Sequence, residues 1–194
     1  MKTLILGGVR SGKSRHAAEL ARMSGSAVTL IATARALDAE MAARIDAHRA
    51  SRSPHWNVVE EPTHLAAALI AASRPERFVI VDCLTLWLTN VLCGEDERAL
   101  TQESAELLDV LPTLPGPCVL VSNEIGLGVM PANALARRFA DEAGNLHQRL
   151  AALCDCVVLM AAGLPMAVKT PPEPPPHRTH DARRPGEMLR AGES

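Results

Sequence analysis

The segment Gly7-Gly8-Val9-Arg10-Ser11-Gly12-Lys13-Ser14 fits the spacing G-x-x-x-x-G-K-[ST], which binds phosphate. The chemistry follows from the residue types. Glycines at 7, 8 and 12 carry no Cβ, so the backbone can curl and turn successive N–H groups toward phosphate oxygens. A helix starting after Gly12 would add its positive end. Lys13 is a flexible cation that can reach β- and γ-phosphates, and the Ser14 hydroxyl suits Mg2+. Asp82 ends the apolar run Val79-Ile80-Val81, the position of an acid that holds Mg2+ opposite such a serine. His48 stands among Arg44, Arg49 and Arg52. It reads either as part of a solvated basic helix end or as a nucleophile. In the second case a neutral imidazole attacks a phosphoryl centre and forms a covalent phosphoramidate.

These residues need elements to hold them. Thr3–Leu6 is an apolar run before the glycines, and residues 14–22 are rich in helix formers. Strand, loop and helix therefore frame the phosphate motif. Further strands are expected at 27–32, 56–60, 77–82, 118–122 and 156–161, the last taken as the final core strand. Helices are expected at 36 to about 50, 63 to about 72, 84–92, 97–111 and 133 to about 153. The second of these helices carries Leu37, Met41, Ile45 and His48 at helical spacing, and the final one is expected to break near Gly144. Strands alternating with helices predict an α/β fold, a mainly parallel sheet with helices on both faces. Ligands of such sheets sit at the carboxyl ends of the strands. Gly7, Asp82 and Asn123-Glu124 all fall there.

Composition narrows the function. The 194 residues are 47% hydrophobic and 22% charged, enough for a core without disulfides. Aromatics are 2% and tyrosine is absent, so a base-stacking surface for nucleic acid is not expected. A net charge of −2 gives no attraction to nucleic acid or an anionic membrane. Five cysteines without a C-x-x-C pair read as reduced thiols of a cytoplasmic protein. The first apolar run breaks at Gly7-Gly8, unlike a signal peptide, and no run approaches the ~20 residues of a membrane span. From Thr170 the composition changes to Pro171-Pro172-Glu173-Pro174-Pro175-Pro176 and a polar stretch. Residues 1–169 are therefore expected to form one nucleotide-binding catalytic domain, and 170–194 a disordered tail.

Several segments together resemble one family, the bifunctional adenosylcobinamide kinase/adenosylcobinamide-phosphate guanylyltransferases of cobalamin biosynthesis. They are the Gly7–Arg15 loop, Ile31-Ala32-Thr33-Ala34, Asp38–Ile45, His48-Arg49 with Trp56, Glu60-Glu61-Pro62 and Asp82-Cys83-Leu84-Thr85. Thr89-Asn90, Ser122–Pro131 and residues 137–151 continue the likeness to about residue 169. His147, where Asn is usual, and Met130 depart from it. The resemblance implies a P-loop NTPase fold of RecA type and a homotrimer. It implies phosphorylation of adenosylcobinamide by ATP or GTP, then transfer of GMP from GTP through a guanylylated histidine to adenosylcobinamide phosphate. By position that histidine is His48, with Lys13 as its catalytic companion. The implied nucleotide contacts are Gly7, Gly8, Val9, Arg10, Ser11, Gly12, Lys13, Ser14, Ala32, Thr33, Ala34, Arg49, Ala50, Ser51, Arg52, Glu60 and Asp82. Ser14 and Asp82 would hold Mg2+. Asn123-Glu124 and glycines 126–128 are candidates for the corrinoid's neighbourhood. Two other classes compete: a simple P-loop kinase of a small metabolite, and a nucleotide-dependent switch. The absence of an Asn-Lys-x-Asp guanine-reading motif counts against a G-protein-type switch.

Overall fold

Apolar, β-branched runs dictate the centre of the molecule. In the computed structural model, which describes residues 1–171 except 37, 51, 95, 97 and the side chain of Arg44, they form one seven-stranded sheet. The strands are β1 (Lys2–Gly7), β2 (Ala27–Ala32), β3 (Asn57–Glu60), β4 (Arg77–Asp82), β5 (Cys118–Val121), β6 (Cys156–Ala161) and β7 (Leu164–Lys169). Their order is β3-β2-β4-β5-β1-β6-β7. All neighbours are parallel except β6 and β7, which are antiparallel. Parallel strands require crossovers, supplied by α1 (Lys13–Ser24), α2 (Ala39–Ala50), α3 (Leu65–Ala72), α4 (Leu84–Leu92), α5 (Ala99–Val110) and α6 (Ala134–Leu153).

Alternate residues of each strand feed two separate cores. Leu4, Ile31, Val79, Val81 and Leu120 point to one face, where Leu69, Trp87, Leu107 and Leu150 from α3, α4, α5 and α6 meet them. Ile5, Val28, Leu30, Ile80, Val119 and Val121 point to the other, where α1 brings Ala17 and Ala21. Each fully buried aliphatic side chain contributes about 1.5–3 kcal/mol. Central strands β1, β4 and β5 are buried nearly throughout, whereas edge strand β3 is mostly exposed.

The sheet and its alternating helices agree with the sequence, and four details differ. An exposed edge strand, β7, follows β6, so 156–161 is the last core strand but not the last strand. Its Pro165 discourages a strand assignment, but an edge position tolerates a residue that cannot donate to a ladder. The final helix runs through Gly144 without a break. The helix expected from 97 ends at Val110 and continues as a single 3-10 turn, Leu111–Thr113. In α2, Met41, Ile45 and His48 are only half-buried. Leu37 and residues 172–194 lie outside the described residues.

Candidate active site

The loop at 7–14 leaves the carboxyl end of β1 and enters α1. Two of its glycines are required by geometry. Gly7 has φ +152°, and a Cβ there would stand 2.5 Å from the Met160 carbonyl oxygen and 2.7 Å from Ser11 Oγ. Gly12 has φ +97° at the start of α1. Gly8 differs: a Cβ there would meet nothing within 4 Å, so it is not needed for space. Lys13 is buried and its ammonium donates to the carbonyls of Gly7 at 2.9 Å and Gly8 at 2.7 Å. Burial lowers its pKa, opposed by the nearby Cys83 and Asp82. Ser11 Oγ is buried and lacks a hydrogen-bond partner, an open polar position inside the loop. Val9, Arg10 and Gly8 are exposed.

Asp82 ends β4, two strands from β1, with β5 between them. His48, near the end of α2, reaches across 34 positions of sequence, and its Nε2 lies 2.9 Å from Asp82 Oδ2. Burial pushes the Asp82 carboxyl up, but the His48 ring, the Ser14 hydroxyl and the charge of Arg52 outweigh it. The group is held below the usual carboxylate range. Ser14 and Asp82 therefore offer a hydroxyl and an ionised carboxylate close together, hard oxygen donors of the kind Mg2+ takes.

Ser14, His48, Arg52 and Asp82 border one cleft of about 920 Å³ between α1 and the chain before β3. Its floor is apolar, with Leu30 and Ile80 of the sheet, and Trp56 forms a wall. Arg52 Nε is buried there without a hydrogen-bond partner. His55 lines the same cleft. Arg49 is ion-paired with Glu60 and, with Ala34 and Ile45, borders an adjoining hollow of about 470 Å³. Ala32 and Thr33 lie below these surfaces. The Ala32 carbonyl accepts from Glu61, and the Thr33 hydroxyl is shared between the carbonyl and N–H of Cys83. Ala50 is exposed on α2, and Ser51 lies outside the described residues. His16 turns to the β6–β7 side of α1, away from His48.

Asn90, Ser122 and His147 fall in the segments that carry the resemblance, but their supporting contacts were not foreseen from the sequence. Asn90, on the mostly apolar α4, donates to the carbonyls of Thr33 and Pro62 and ties down the end of β2. His147 lies buried against Ser122. A polar residue on the buried side of an apolar helix was the available signal for Asn90. No ordering of sequence marks the second pair.

Residues 3–168, nearly the whole described chain, match the family described as cobinamide kinase / cobinamide phosphate guanyltransferase. The chain belongs to that family. Among curated relatives of this cobinamide kinase/guanyltransferase family, the bifunctional adenosylcobalamin biosynthesis protein CobP of Pseudomonas aeruginosa is 54% identical over 172 residues, 89% of this chain and 99% of that protein. The bifunctional adenosylcobalamin biosynthesis protein CobU of Escherichia coli is 41% identical over 182 residues, 87% of this chain and 100% of that protein. Among solved structures, the PH0250 protein of Pyrococcus horikoshii is 8% identical. The alignment covers 87% of this chain and 86% of that one with a TM-score of 0.51, which shows the fold alone. The architecture is the expected α/β fold, a mainly parallel sheet with helices on both faces, and β5 lies between the acid-bearing and the loop-bearing strand. Among the described residues no helix is long and apolar enough to cross a membrane.

Proposed function

We propose that this member of the cobinamide kinase/guanyltransferase family carries out both reactions at the 7–14 loop. It phosphorylates adenosylcobinamide with ATP or GTP. It then moves GMP from GTP through His48 to adenosylcobinamide phosphate, giving adenosylcobinamide-GDP. The observation that supports this most is the 2.9 Å contact between His48 Nε2 and Asp82 Oδ2, beside Ser14. It brings a candidate nucleophile to the phosphate loop from another element.

The loop backbone and Lys13 hold the triphosphate, Lys13 leaving the carbonyls of Gly7 and Gly8 for phosphate oxygens. Ser14 and Asp82 would hold Mg2+, which supplies charge neutralisation on the phosphates. In the kinase step the acceptor hydroxyl attacks the γ-phosphorus, the bond to the β-phosphate oxygen breaks, and the hydroxyl proton passes to water or base. In the transfer step water takes the proton that His48 Nε2 shares with the ionised Asp82 carboxylate, leaving the ring neutral with its proton on Nδ1, and the freed Nε2 attacks the α-phosphorus of GTP. An N–P bond forms and pyrophosphate departs. A phosphate oxygen of the acceptor then displaces the imidazole and takes the GMP group. Arg49, Arg52, Glu60 and Ala34 border the space left for the nucleoside and its α-phosphate. Ala32, Thr33, Ala50 and Ser51 complete the nucleotide contacts implied by the resemblance. The exposed apolar loop beyond Asn123-Glu124, with Leu127 and Val129, suits a large amphipathic acceptor. Action as a homotrimer in the cytoplasm, with residues 170–194 outside the catalytic domain, completes the proposal.

The test is labelling by GTP radioactive at the α-phosphate. The expected label is acid-labile and base-stable, and is lost in His48→Ala together with guanylyl transfer. The same variant keeps the kinase step within about tenfold, because that step relies on Lys13, Ser14 and Asp82. Label that persists in His48→Ala, or maps to a serine or lysine, refutes the histidine intermediate.

A further inference from the structure

On the four-helix side of the sheet, behind the site, a row of hydroxyls ends on a buried histidine. The Asn123 N–H donates to Thr85 Oγ1 at 2.7 Å. Thr85 Oγ1 and Ser122 Oγ are 3.2 Å apart, and Ser122 Oγ is 2.8 Å from His147 Nε2. Ser122 and His147 are both buried. None of these side chains has a part in the reactions above.

Counting hydrogens favours one direction of the row. Each hydroxyl has one hydrogen to give. If Thr85 gives its hydrogen to Ser122 and Ser122 gives its own to His147, every polar hydrogen finds a good acceptor. His147 Nε2 is then the terminal acceptor, with its ring proton on Nδ1. In the reverse direction His147 donates to Ser122 and Ser122 to Thr85. The Thr85 hydrogen is then left with the neighbouring Cys83 sulfur, a weak acceptor. Burial lowers the pKa of His147, and the charge of Glu124 only partly opposes it, so the ring is neutral at pH 7 and able to accept. Glu124 on the β5–α6 connection is the charged group that faces it. Glu103 on α5 is turned instead to His64.

The other end of the row reaches the phosphate loop. The residue after Asn123 is Glu124, whose N–H donates to the Gly7 carbonyl at 3.0 Å. That same carbonyl accepts from Lys13 Nζ at 2.9 Å. We infer that His147 is a positioning residue for the phosphate loop: through Ser122 and Thr85 it fixes Asn123-Glu124 against the Gly7 carbonyl, and protonating its ring reverses the row and loosens the Gly7 end of the loop whose N–H groups hold phosphate. The inference rests on the nucleotide-binding reading above. It places a proton-sensitive support on the side of the sheet away from the cleft.

The experiment measures affinity for β,γ-imido-GTP with Mg2+ by calorimetry, from about pH 7.5 down to about pH 4.5, because burial lowers the pKa of His147. Wild type, His147→Gln and Ser122→Ala are compared, each checked by thermal unfolding. A glutamine amide oxygen accepts from Ser122 but does not titrate. His147→Gln is expected to bind within about twofold of wild type at the higher pH. On acidification wild type should lose about fivefold more affinity than His147→Gln, the effect of one hydrogen bond. Ser122→Ala breaks the row without touching the histidine. It should bind about fivefold more weakly at the higher pH and lack the extra loss in acid. It carries the test if His147→Gln unfolds. Parallel pH profiles in wild type and variants overturn the inference, whatever the melting temperatures, and leave nucleotide binding standing. A wild type that binds no nucleotide at any pH overturns the nucleotide reading instead.

Discussion

The two faces of the sheet are built differently. One is covered by α3, α4, α5 and α6, whose Leu69, Trp87, Leu107 and Leu150 are fully buried. The other is covered by α1, and beside that helix lies the cleft, with the buried Leu30 and Ile80 in its lining. The first face carries the larger apolar core. On the second, Lys13, Ser14, His48, Arg52 and Asp82 gather, several of them polar groups held out of water. The difference indicates a division of work. Packing on one face supplies stability, so the other can keep an unfilled cleft and a buried carboxylate at modest net cost.

The largest expected effect breaks the comparison at the phosphate loop. Lys13→Ala removes the buried cation of the loop and its bonds to Gly7 and Gly8. Both the kinase step and guanylyl transfer should fall by about a thousandfold or more, since both need a triphosphate in that loop. Stability should change by about 1 kcal/mol, because only two modest hydrogen bonds are lost. Separate assays of the two activities and a denaturant melt check this. Either activity surviving near the wild-type rate would show that a second nucleotide site does that reaction.

The next prediction compares equal truncations on opposite faces. Leu69→Ala, on the four-helix side, should cost about 3–5 kcal/mol, because close-packed neighbours cannot collapse into the gap. Leu30→Ala, on the cleft side, should cost nearer 2 kcal/mol, since the adjoining open space lets side chains and water adjust. Equilibrium unfolding in urea gives both numbers. Equal losses would show that the cleft face is as tightly packed as the other. The activity of the remaining folded Leu69→Ala protein should be unchanged, while Leu30→Ala should alter substrate binding.

The sequence made most of this legible where chemistry and position coincide in one segment. The phosphate loop is contiguous, and β2, β4 and α4 have the bounds their apolar runs suggest. Asp82 is visible because an acid ends an apolar strand. The pairing of His48 with Asp82 joins α2 to β4, and nothing in either segment alone announces it. The same holds for His147 and Ser122, which are 25 positions apart. β7 was missed because Pro165 argues against a strand, and only the antiparallel return beside β6 makes it acceptable. Local composition reveals which residues can do chemistry. It does not reveal which of them the crossovers bring together.

The smallest effect expected lies on the stable face and concerns a charge rather than packing. His64 Nδ1 lies 2.7 Å from Glu103 Oε1, joining the start of α3 to α5. The hydrogen bond and the charge of Glu103 raise the pKa of His64 above its ordinary value. A histidine bound more tightly to its proton when folded contributes stability that is full below its unfolded pKa. That contribution disappears as pH rises through the raised folded value. The His64 side chain is 71% exposed, so water and salt screen the pair and its worth is below about 1 kcal/mol. His64→Gln should therefore melt slightly below wild type at about pH 5.5, with the gap closing by about pH 8.5. Added salt should narrow the gap at the lower pH. A gap that widens as pH rises would mean that the neutral ring, rather than the imidazolium, is what the folded state prefers there.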